Sequence, residues 1–476
     1  MTSSTPNSNN PKLNFSISSS DGLWSWLKGL QISLAFTTYQ SNRLFLVGSH
    51  DSRLVIKQRL FDKPMGLYLQ GNSLYMSTRY QLWQLENRLA VGETFESNDC
   101  LFIPSLAHIN GDINTHDVAV DHKHKLIFVN TDFSCLASLR SGFSFEPVWK
   151  PAFISKLAAE DRCHLNGLAM RDGEPVYVTA CSNTDYAAGW RDQRNNGGIV
   201  IHIPDNEIIA TGLSMPHSPR WYQDRLWLLN SGTGELGYLD GERFVAVTFC
   251  PGFVRGLAFF DNFALVGLSK LRHKTATSLA LETRLAASGE DSQCGLMIID
   301  LHTGKRVHSL RIDGIIEEVF SVVVLPNVQR PNVIGLQNED IESLINFPGS
   351  YGIIRTRPAV KSPAIRGTTQ QTELPCSPQL TVNYQRVYHL TPENLVPYDS
   401  MTFPSLQTRW QTQPQQGELL AVSASVAGEM VGLVVAERFE QQAVQPLSLY
   451  VLPAYRSQGI GTNLIKHLQR IAGQII

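Results

Sequence analysis

The chain has 476 residues, of which 43% are hydrophobic and 17% charged, and its net charge is -2. This length is too great for one ordinary core, so two or more domains of globular composition are expected. Because no basic surplus is available to neutralise phosphates, we expect no nucleic-acid partner. No stretch approaches the roughly 20 apolar residues that a membrane-spanning helix needs, so we expect no membrane partner either.

The N-terminus and the cysteines predict a cytoplasmic protein. Residues 1–14 are polar and are predicted to form a disordered tail, since they lack the apolar core of a signal peptide. The cysteines are odd in number and none stands at CxxC spacing, which favours buried free thiols over a zinc site or disulfides. They are Cys100, Cys135, Cys163, Cys181, Cys250, Cys294 and Cys376.

Residues 15–345 contain short apolar runs separated by Gly, Asp, Asn and Pro, which predicts a domain of β-strands. A loose repeat recurs in this segment. Each unit has an apolar run, a polar turn and a second run that ends in Thr, Ser, Asn or Gly. The units start at or near Ile32, Met65, His116, Asn166, His217, Arg255 and Val319.

Most of these starts are about 50 residues apart, which suits the four-stranded blade of a β-propeller with insertions. The first and last units are weak and could share one blade. The segment therefore predicts a six- or seven-bladed β-propeller, with a large β-sandwich or a solenoid as the alternative.

Residues 346–383 are rich in Pro, Thr, Ser and Gln and are predicted to be a linker. Residues 384–476 then predict an α/β domain. Two apolar runs around a turn at Ala427–Glu429 indicate a hairpin. A strand ending at Val451, a loop and an amphipathic helix follow. The helix carries one apolar face, formed by Ile460, Leu464, Ile465 and Leu468.

The loop between this strand and helix has the features of an anion-binding site. Unpaired backbone N–H groups and the helix dipole favour a phosphate at a helix start. Gly459 and Gly461 allow close approach of the backbone, and Arg456 adds a positive charge.

The order of strand, Pro-x-Tyr-Arg turn, Arg456, Gly459, Gly461 and helix resembles the GNAT acyltransferase superfamily. The resemblance implies an amine acceptor, acetyl-CoA or another acyl-CoA as co-substrate, its pyrophosphate on residues 458–462, and its pantetheine arm along the strand Leu447–Val451. The implied cofactor-binding residues are Leu449, Val451, Arg456, Gln458, Gly459, Ile460, Gly461 and Thr462.

GNAT domains continue beyond this helix with further strands, whereas this sequence stops at Ile476. We therefore expect an incomplete GNAT domain with weak CoA binding and little or no acyl transfer. A general base must also accept the amine proton. Glu437, at the end of the hairpin's second strand, is the candidate among Glu429, Glu437 and Glu440, and a solvated surface charge is the alternative.

Polar residues recur where successive units start: His116, His164, His217 and Arg255. First strands of propeller blades start near one mouth of the central channel, so these side chains are expected to converge there. They could bind a metal together with Asp117 and Asn166, bind a small ligand, or bond to neighbouring blades. We assign no metal. A polar insertion with Trp190, Arg191, Asn195 and Asn196 is either a lid or binding loop, or a surface excursion.

The N-terminal segment, including HLNGLAM and MPHSPRW, resembles a family of uncharacterised bacterial proteins and the NHL-like and gluconolactonase-like propellers. This resemblance implies a bacterial origin and no particular activity. Three functional hypotheses remain: a GNAT-type N-acyltransferase fused to a propeller that binds a substrate or partner, a binding protein with a degenerate GNAT remnant, and a propeller-based metal-dependent hydrolase.

Overall fold

A computed structural model describes residues 15–271, 279–336, 338–350, 352–356, 382–387, 391, 402, 406, 417–426, 429–438, 444–452, 455 and 459–472. The chain divides into two compact units, Met1–Ser362 and Pro363–Ile476. The predicted tail, residues 1–14, and most of the predicted linker lie outside the described residues.

The first unit consists mainly of strands. In chain order they are β1 (Phe15–Ser19), β2 (Ile32–Thr38), β3 (Arg43–His50), β4 (Arg53–Leu60), β5 (Leu67–Gln70), β6 (Ser73–Ser77), β7 (Gln81–Asn87), β8 (Cys100–Ile109), β9 (Thr115–Val120), β10 (Leu126–Asn130), β11 (Cys135–Ser138), β12 (Glu146–Trp149), β13 (Leu165–Arg171) and β14 (Glu174–Ala180). They continue with β15 (Gly198–His202), β16 (Glu207–Leu213), β17 (Pro216–Tyr222), β18 (Arg225–Asn230), β19 (Glu235–Asp240), β20 (Arg243–Phe249), β21 (Phe253–Phe260), β22 (Phe263–Ser269), β23 (Gly295–Asp300), β24 (Lys305–Gly314), β25 (Ser321–Pro326), β26 (Pro331–Val333), β27 (Leu344–Ile345) and β28 (Ile354–Arg355). The helices are α1 (Leu23–Leu30), α2 (Ala280–Ser288) and two short 3-10 helices, Gly189–Gln193 and Glu339–Glu342.

Within the described part of this unit, most strands form six sheets of four or five strands each. Their strand orders are β25-β2-β3-β4, β26-β8-β7-β6-β5, β12-β11-β10-β9, β13-β14-β15-β16, β17-β18-β19-β20 and β1-β24-β23-β22-β21. We number these sheets one to six. The prediction that this segment is a domain composed mainly of β-strands is therefore confirmed.

The first and last repeat units lie in one sheet. β25 pairs antiparallel with β2, so that Phe36 stands opposite Val322. The two weak units at the ends of the repeat thus supply complementary parts of sheet one.

The first strand of each sheet contacts the first strand of the next. Contacts run from β25 to β5, then to β9, β13, β17 and β21, and from β21 back to β25. Apolar side chains fill the space between neighbouring sheets. Phe36 of sheet one, for example, packs in one cluster with Leu265 and Ile298 of sheet six. Such packing buries sheet faces that a single small sheet would leave exposed.

Hydroxyl groups link successive sheets at the end of each second strand. A Ser or Thr hydroxyl donates to a carbonyl at the start of the next sheet in five of the six sheets, within the described residues. The donors and acceptors are Thr37 to Met65, Ser77 to Thr115, Thr131 to Leu165, Ser231 to Val254, and Ser269 to Val319. In sheet four the corresponding position, one residue beyond β14, is Cys181. This linkage explains why so many repeat units end in Ser or Thr.

Glycines on first strands permit close approach of the sheets. A Cβ on Gly256, which has φ +74°, would lie 2.9 Å from the backbone of Ser321 in the next sheet. A Cβ on Gly167 would lie 2.3 Å from Pro219. The recurrent Gly-Leu pair of the repeat therefore reflects strand-to-strand contact, because no other residue fits there.

The second unit contains β29 (Val382–Val387), β30 (Glu418–Val426), β31 (Glu429–Arg438), β32 (Val444–Val451) and the helix α3 (Ile460–Ala472). The four strands form one antiparallel sheet in chain order. The β30–β31 pairing confirms the predicted hairpin. Ile460, Leu464 and Leu468 are buried against the sheet, which confirms the predicted apolar face of the helix.

Part of the predicted linker is folded onto the first unit. β28 pairs with β27, and Ile353 N–H donates to a carboxylate oxygen of Glu93. This segment is folded because Ile354 pairs with Ile345 nearby in sequence, although its composition predicts a linker.

Six described cysteines are buried and free, as predicted, and Cys376 lies outside the described residues. Burial raises the pKa of these thiols, for Cys250 to about 12. None of the helices formed by the described residues has the length and hydropathy needed to cross a membrane.

Candidate functional site

A cavity of about 340 Å³ lies in the first unit, where several first strands begin. Its lining includes His116, His164 and Arg255, which were expected to converge. Aromatic side chains form much of the remaining wall, namely Tyr39, Trp190, Phe253 and Phe320.

The three predicted histidines lie close together. The ring centroids of His116 and His164 are 4.9 Å apart, and those of His164 and His217 are 6.5 Å apart. All three are buried, with His217 only 2% exposed. The starts of three neighbouring sheets therefore bring these side chains together, with His116 and His217 on first strands and His164 one residue before β13.

The hydrogen bonds of His116 and His217 define the protonated ring nitrogen. Nδ1 of His116 lies 2.9 Å from the carbonyl of Asn114, and Nδ1 of His217 lies 2.8 Å from that of Met215. A carbonyl oxygen only accepts, so Nδ1 carries the hydrogen in both rings. The Nε2 atoms are then unprotonated acceptors, and neither has a hydrogen-bond partner among the described residues.

The same two Nδ1 atoms also contact the hydroxyl links between sheets. Thr131 Oγ1 lies 2.7 Å from Nδ1 of His116 and donates its hydrogen to the Leu165 carbonyl. Ser231 repeats this arrangement with Nδ1 of His217. The rings are thus held rigidly by two independent acceptors each.

His164 is held by a carboxylate. Its Nδ1 lies 3.0 Å from both oxygens of Asp161. Trp190 donates from Nε1 to Asp161 Oδ2 at 2.9 Å, and its ring stacks on that of His164 with centroids 4.1 Å apart. The carboxylate fixes the orientation of the His164 ring through Nδ1.

Burial lowers the pKa of His116 and of His217 well below the usual imidazole value. The positive charge of Arg255 adds to this effect in both rings. Both imidazoles are therefore neutral at pH 7, and each presents a lone pair.

Arg255 lies between two phenyl rings. Its guanidinium carbon is 5.2 Å from the ring centroids of Phe253 and of Phe320. Its Nε is buried and has no hydrogen-bond partner among the described residues. Burial lowers the pKa of Arg255 and the Glu318 carboxylate acts in the opposite direction, and an arginine stays charged in either case.

The charges around the cavity are predominantly positive. Among the described residues, five basic side chains line it: Lys63, Arg191, Arg194, Arg255 and Lys270. Three acidic side chains line it: Asp161, Glu282 and Glu318. Asp161 already accepts hydrogen bonds from His164 and Trp190.

Asp117 and Asn166 do not line this cavity. They border a void of about 10 Å³ together with His217. Asp117 accepts from Arg220 Nη1 at 2.9 Å, and Asn166 accepts from Thr179 Oγ1 at 2.8 Å. Their polar groups form hydrogen bonds within and between sheets, which agrees with the alternative that these residues bond to neighbouring parts of the domain and not to a ligand.

The inserted loop contributes two of its four predicted residues to the cavity. Trp190 and Arg191 line it, whereas Asn195 and Asn196 do not. Met65 and Phe320 also line the cavity, and the sequence analysis did not predict them as site residues. Both lie where repeat units start, so the register that indicated the histidines could also have indicated these two.

No group of three or more His, Cys, Asp or Glu side chains is placed to hold a metal ion in the described part of the chain. The three histidines are near one another without forming such a ligand set.

The second candidate site is the strand–helix junction of the second unit. Gly459 has φ +77° and immediately precedes α3, and Asn463 N–H donates to its carbonyl at 3.0 Å. A Cβ on Gly461 would lie within 4 Å of Val451 and Leu449, so the helix start packs on β32.

The remaining predicted residues of this junction are distributed around it. Leu449 is 41% exposed on β32, Ile460 is buried, and Thr462 is exposed on the first turn of α3. Arg456 and Gln458 lie outside the described residues.

Glu437 is buried in β31, with 5% of its surface exposed. Its Oε1 accepts from Gly417 N–H at 2.6 Å, and it stands opposite Gln445 of β32. Val451, at the other end of β32, leads into the glycine loop. The carboxylate and the loop thus lie at opposite ends of one strand.

The acetyltransferase (GNAT) family model matches residues 384–475. In solved structures, the chain is similar to an aminoglycoside acetyltransferase from an uncultured soil metagenomic sample. The identity is 22% and the TM-score 0.15, over 20% of this chain and 72% of that one. The C-terminal unit is a GNAT-family domain.

Structures similar to the N-terminal unit have low sequence identity. A chain of a nidogen/laminin complex is 10% identical with a TM-score of 0.40, over 62% of this chain and 99% of that one. Virginiamycin B lyase from Staphylococcus aureus is 10% identical with a TM-score of 0.32, over 63% and 100%. No curated protein matches this chain.

A second family model, described as a domain of unknown function (DUF4915), matches residues 21–334. The match covers about two thirds of the chain and includes every strand of the six sheets except β1. The chain therefore belongs to the DUF4915 family and carries a C-terminal GNAT domain.

Proposed function

We propose that this protein is an acyl-CoA-dependent N-acyltransferase of GNAT type, fused to a six-bladed β-propeller that binds a substrate or partner. The observation that carries the proposal is the strand–glycine–helix junction at Gly459 within the segment matched by the GNAT model.

The junction suits the pyrophosphate of acetyl-CoA. The first backbone N–H groups of α3 have no partner within the helix, and the helix dipole favours a negative charge there. The positive φ of Gly459 turns the chain from β32 into the helix without a side chain in the phosphate's path.

The pantetheine arm would lie along β32. This strand pairs with β31 and ends the sheet in the described part of the unit. In the proposed arrangement, the amide groups of pantetheine pair with backbone groups of β32, as an added strand would. Exposed Leu449 would contact the arm.

Glu437 is proposed as the base that accepts the amine proton when the amine attacks the thioester carbonyl. Its partner Gln445 and Val451 are six residue steps apart on β32, which is about 20 Å at 3.3 Å per residue. An extended arm that starts at the glycine loop runs toward this end of the sheet.

Release of the CoA thiol from acetyl-CoA, measured with a panel of amines, tests this activity against the expectation from the sequence that little or no acyl transfer occurs. Glu437→Gln should lower the rate constant about 10²-fold or more while CoA affinity is unchanged. Glu418→Gln is the matched control, since Glu418 lies on the same sheet and is more than half exposed. No amine-dependent thiol release by the wild type would refute the proposal, and a loss of CoA affinity in Glu437→Gln would assign Glu437 a structural role.

Two features support the propeller. Apart from the strands β1, β25 and β26, each of its six sheets is contiguous in sequence, and the first strands contact one another in a closed cycle. In a propeller, the faces of each small sheet are covered by the neighbouring sheets, and only short edges remain. Small-angle scattering of residues 15–356, compared with a six-bladed disc, tests this shape.

A further inference from the structure

The cavity of the first unit has unsatisfied hydrogen-bonding groups of two opposite kinds. Arg255 offers a donor, Nε, that has no partner among the described residues. His116 offers an acceptor, Nε2, because its Nδ1 is already bonded to the carbonyl of Asn114. The Nδ1 of His164 is likewise bonded to the carboxylate of Asp161, which leaves Nε2 of that ring for a ligand. A ligand that fits must supply both an acceptor and donors.

The acceptor is best supplied by a carboxylate. The guanidinium of Arg255 is shielded from solvent by Phe253 and Phe320, and a partly desolvated guanidinium interacts most strongly with an anionic oxygen. Five basic and three acidic side chains line the cavity, which adds to the attraction for an anion.

The donors are best supplied by uncharged hydroxyl groups. An ammonium group could also donate to the Nε2 atoms, but the surrounding positive charge and Arg255 itself would repel it. A hydroxyl group donates to a neutral imidazole without this penalty.

The size and walls of the cavity suit a metabolite. Its volume of about 340 Å³ lies at the lower end of the range for small-molecule sites, about 300–1,000 Å³. Aromatic walls with a few convergent polar groups are also typical of such sites.

We propose that the cavity binds a small hydroxylated carboxylic acid, with the carboxylate on Arg255 and hydroxyl groups on Nε2 of His116 and His164. This inference rests on the proposed binding role of the first unit and is independent of the acyl-transfer chemistry of the second.

Three four-carbon probes separate the two kinds of recognition. Tartrate carries carboxylates and hydroxyls, succinate carries only the carboxylates, and erythritol carries only hydroxyls. Titration calorimetry on the full chain should show tartrate binding, with succinate and erythritol each at least about tenfold weaker. Equal affinity for succinate and tartrate would overturn the role of the imidazoles, and equal affinity for erythritol would overturn the role of Arg255.

Variants then assign each contact. Arg255→Gln should weaken tartrate and succinate alike, whereas His116→Phe, which keeps a ring and removes the acceptor, should weaken tartrate alone. Arg243→Gln, at an exposed arginine of β20, is the control and should leave both unchanged. Circular dichroism checks that the variants fold, and Arg255→Lys replaces Arg255→Gln if the latter does not.

Two further results would contradict the assignment. One is the absence of tartrate binding with a Kd of about 1 mM or tighter. The other is stoichiometric Zn²⁺ binding that His116→Phe abolishes, since the histidines would then be metal ligands. Thiol release from acetyl-CoA, measured in the same preparations, reports on the second unit separately, so failure of one proposal is distinguishable from failure of the other.

Discussion

The buried histidines predict how the stability of the first unit depends on pH. The pKa of His217 is lowered well below its usual value, first by burial and then by Arg255. Below about pH 6.5 the unfolded chain therefore binds a proton that the folded protein does not. The free energy of unfolding accordingly falls as the pH falls through this value.

The size of the effect follows from the linkage relation. An imidazole with an unfolded pKa of about 6.5 that stays neutral when folded lowers the unfolding free energy by about 1.4 kcal/mol between pH 7.5 and 5.5. In His217→Gln this contribution is absent, so its loss of stability over that interval should be about 1.4 kcal/mol smaller than that of the wild type. His116 should behave in the same way, since its pKa is lowered for the same reasons.

Urea unfolding followed by tryptophan fluorescence measures this difference. Seven of the eight tryptophans lie in the first unit, so the signal reports mainly on that unit. His302→Gln, at an exposed histidine, is the control and should keep the wild-type pH dependence. The reasoning would be refuted if His217→Gln and the wild type lost the same free energy between the two pH values.

Three other predictions concern the glycine loop at Gly459, the hydroxyl links between sheets and the boundary between the two domains. Gly459→Val should weaken CoA binding about tenfold or more in calorimetry, because valine is strained at φ +77°, whereas Gly289→Val, with φ +68° in the other unit, should not. Thr131→Val removes a buried link and should destabilise the first unit by about 1–3 kcal/mol in urea unfolding, while exposed Thr211→Val should change it by less than about 0.5 kcal/mol. Limited proteolysis should cut within residues 347–383 and leave a β-rich N-terminal fragment, and cleavage inside the repeats would contradict this boundary.

The repeat made much of the first unit predictable. Because every unit buries the same kind of apolar run, its register indicated the strands and also which residues start them, including His116 and Arg255. The pairing of the first and last repeats could be stated only as one of two alternatives. It depends on strands that are separated in sequence by nearly the whole N-terminal unit.

The details of the cavity depended on contacts that no local pattern reveals. Asp161 reaches His164 through a turn in which both residues have positive φ. The polar group of Asn166 is bonded to Thr179, although its position in the repeat is equivalent to a channel residue. In each case, tertiary hydrogen bonding determines whether a polar side chain lines the cavity or forms hydrogen bonds with a neighbouring strand.

The shared first sheet has a consequence for the synthesis of the chain. β2 ends at Thr38, and its partner β25 begins only at Ser321. At about 5–20 residues per second, a ribosome needs roughly 15–60 s to make the intervening segment. During that time the edge of β2 that later pairs with β25 has unpaired backbone groups, on a strand whose side chains are all buried in the finished protein. Assembly of this unit on the ribosome therefore has a waiting period in which a holding chaperone, or a slowly translated message, would decide the yield of native protein.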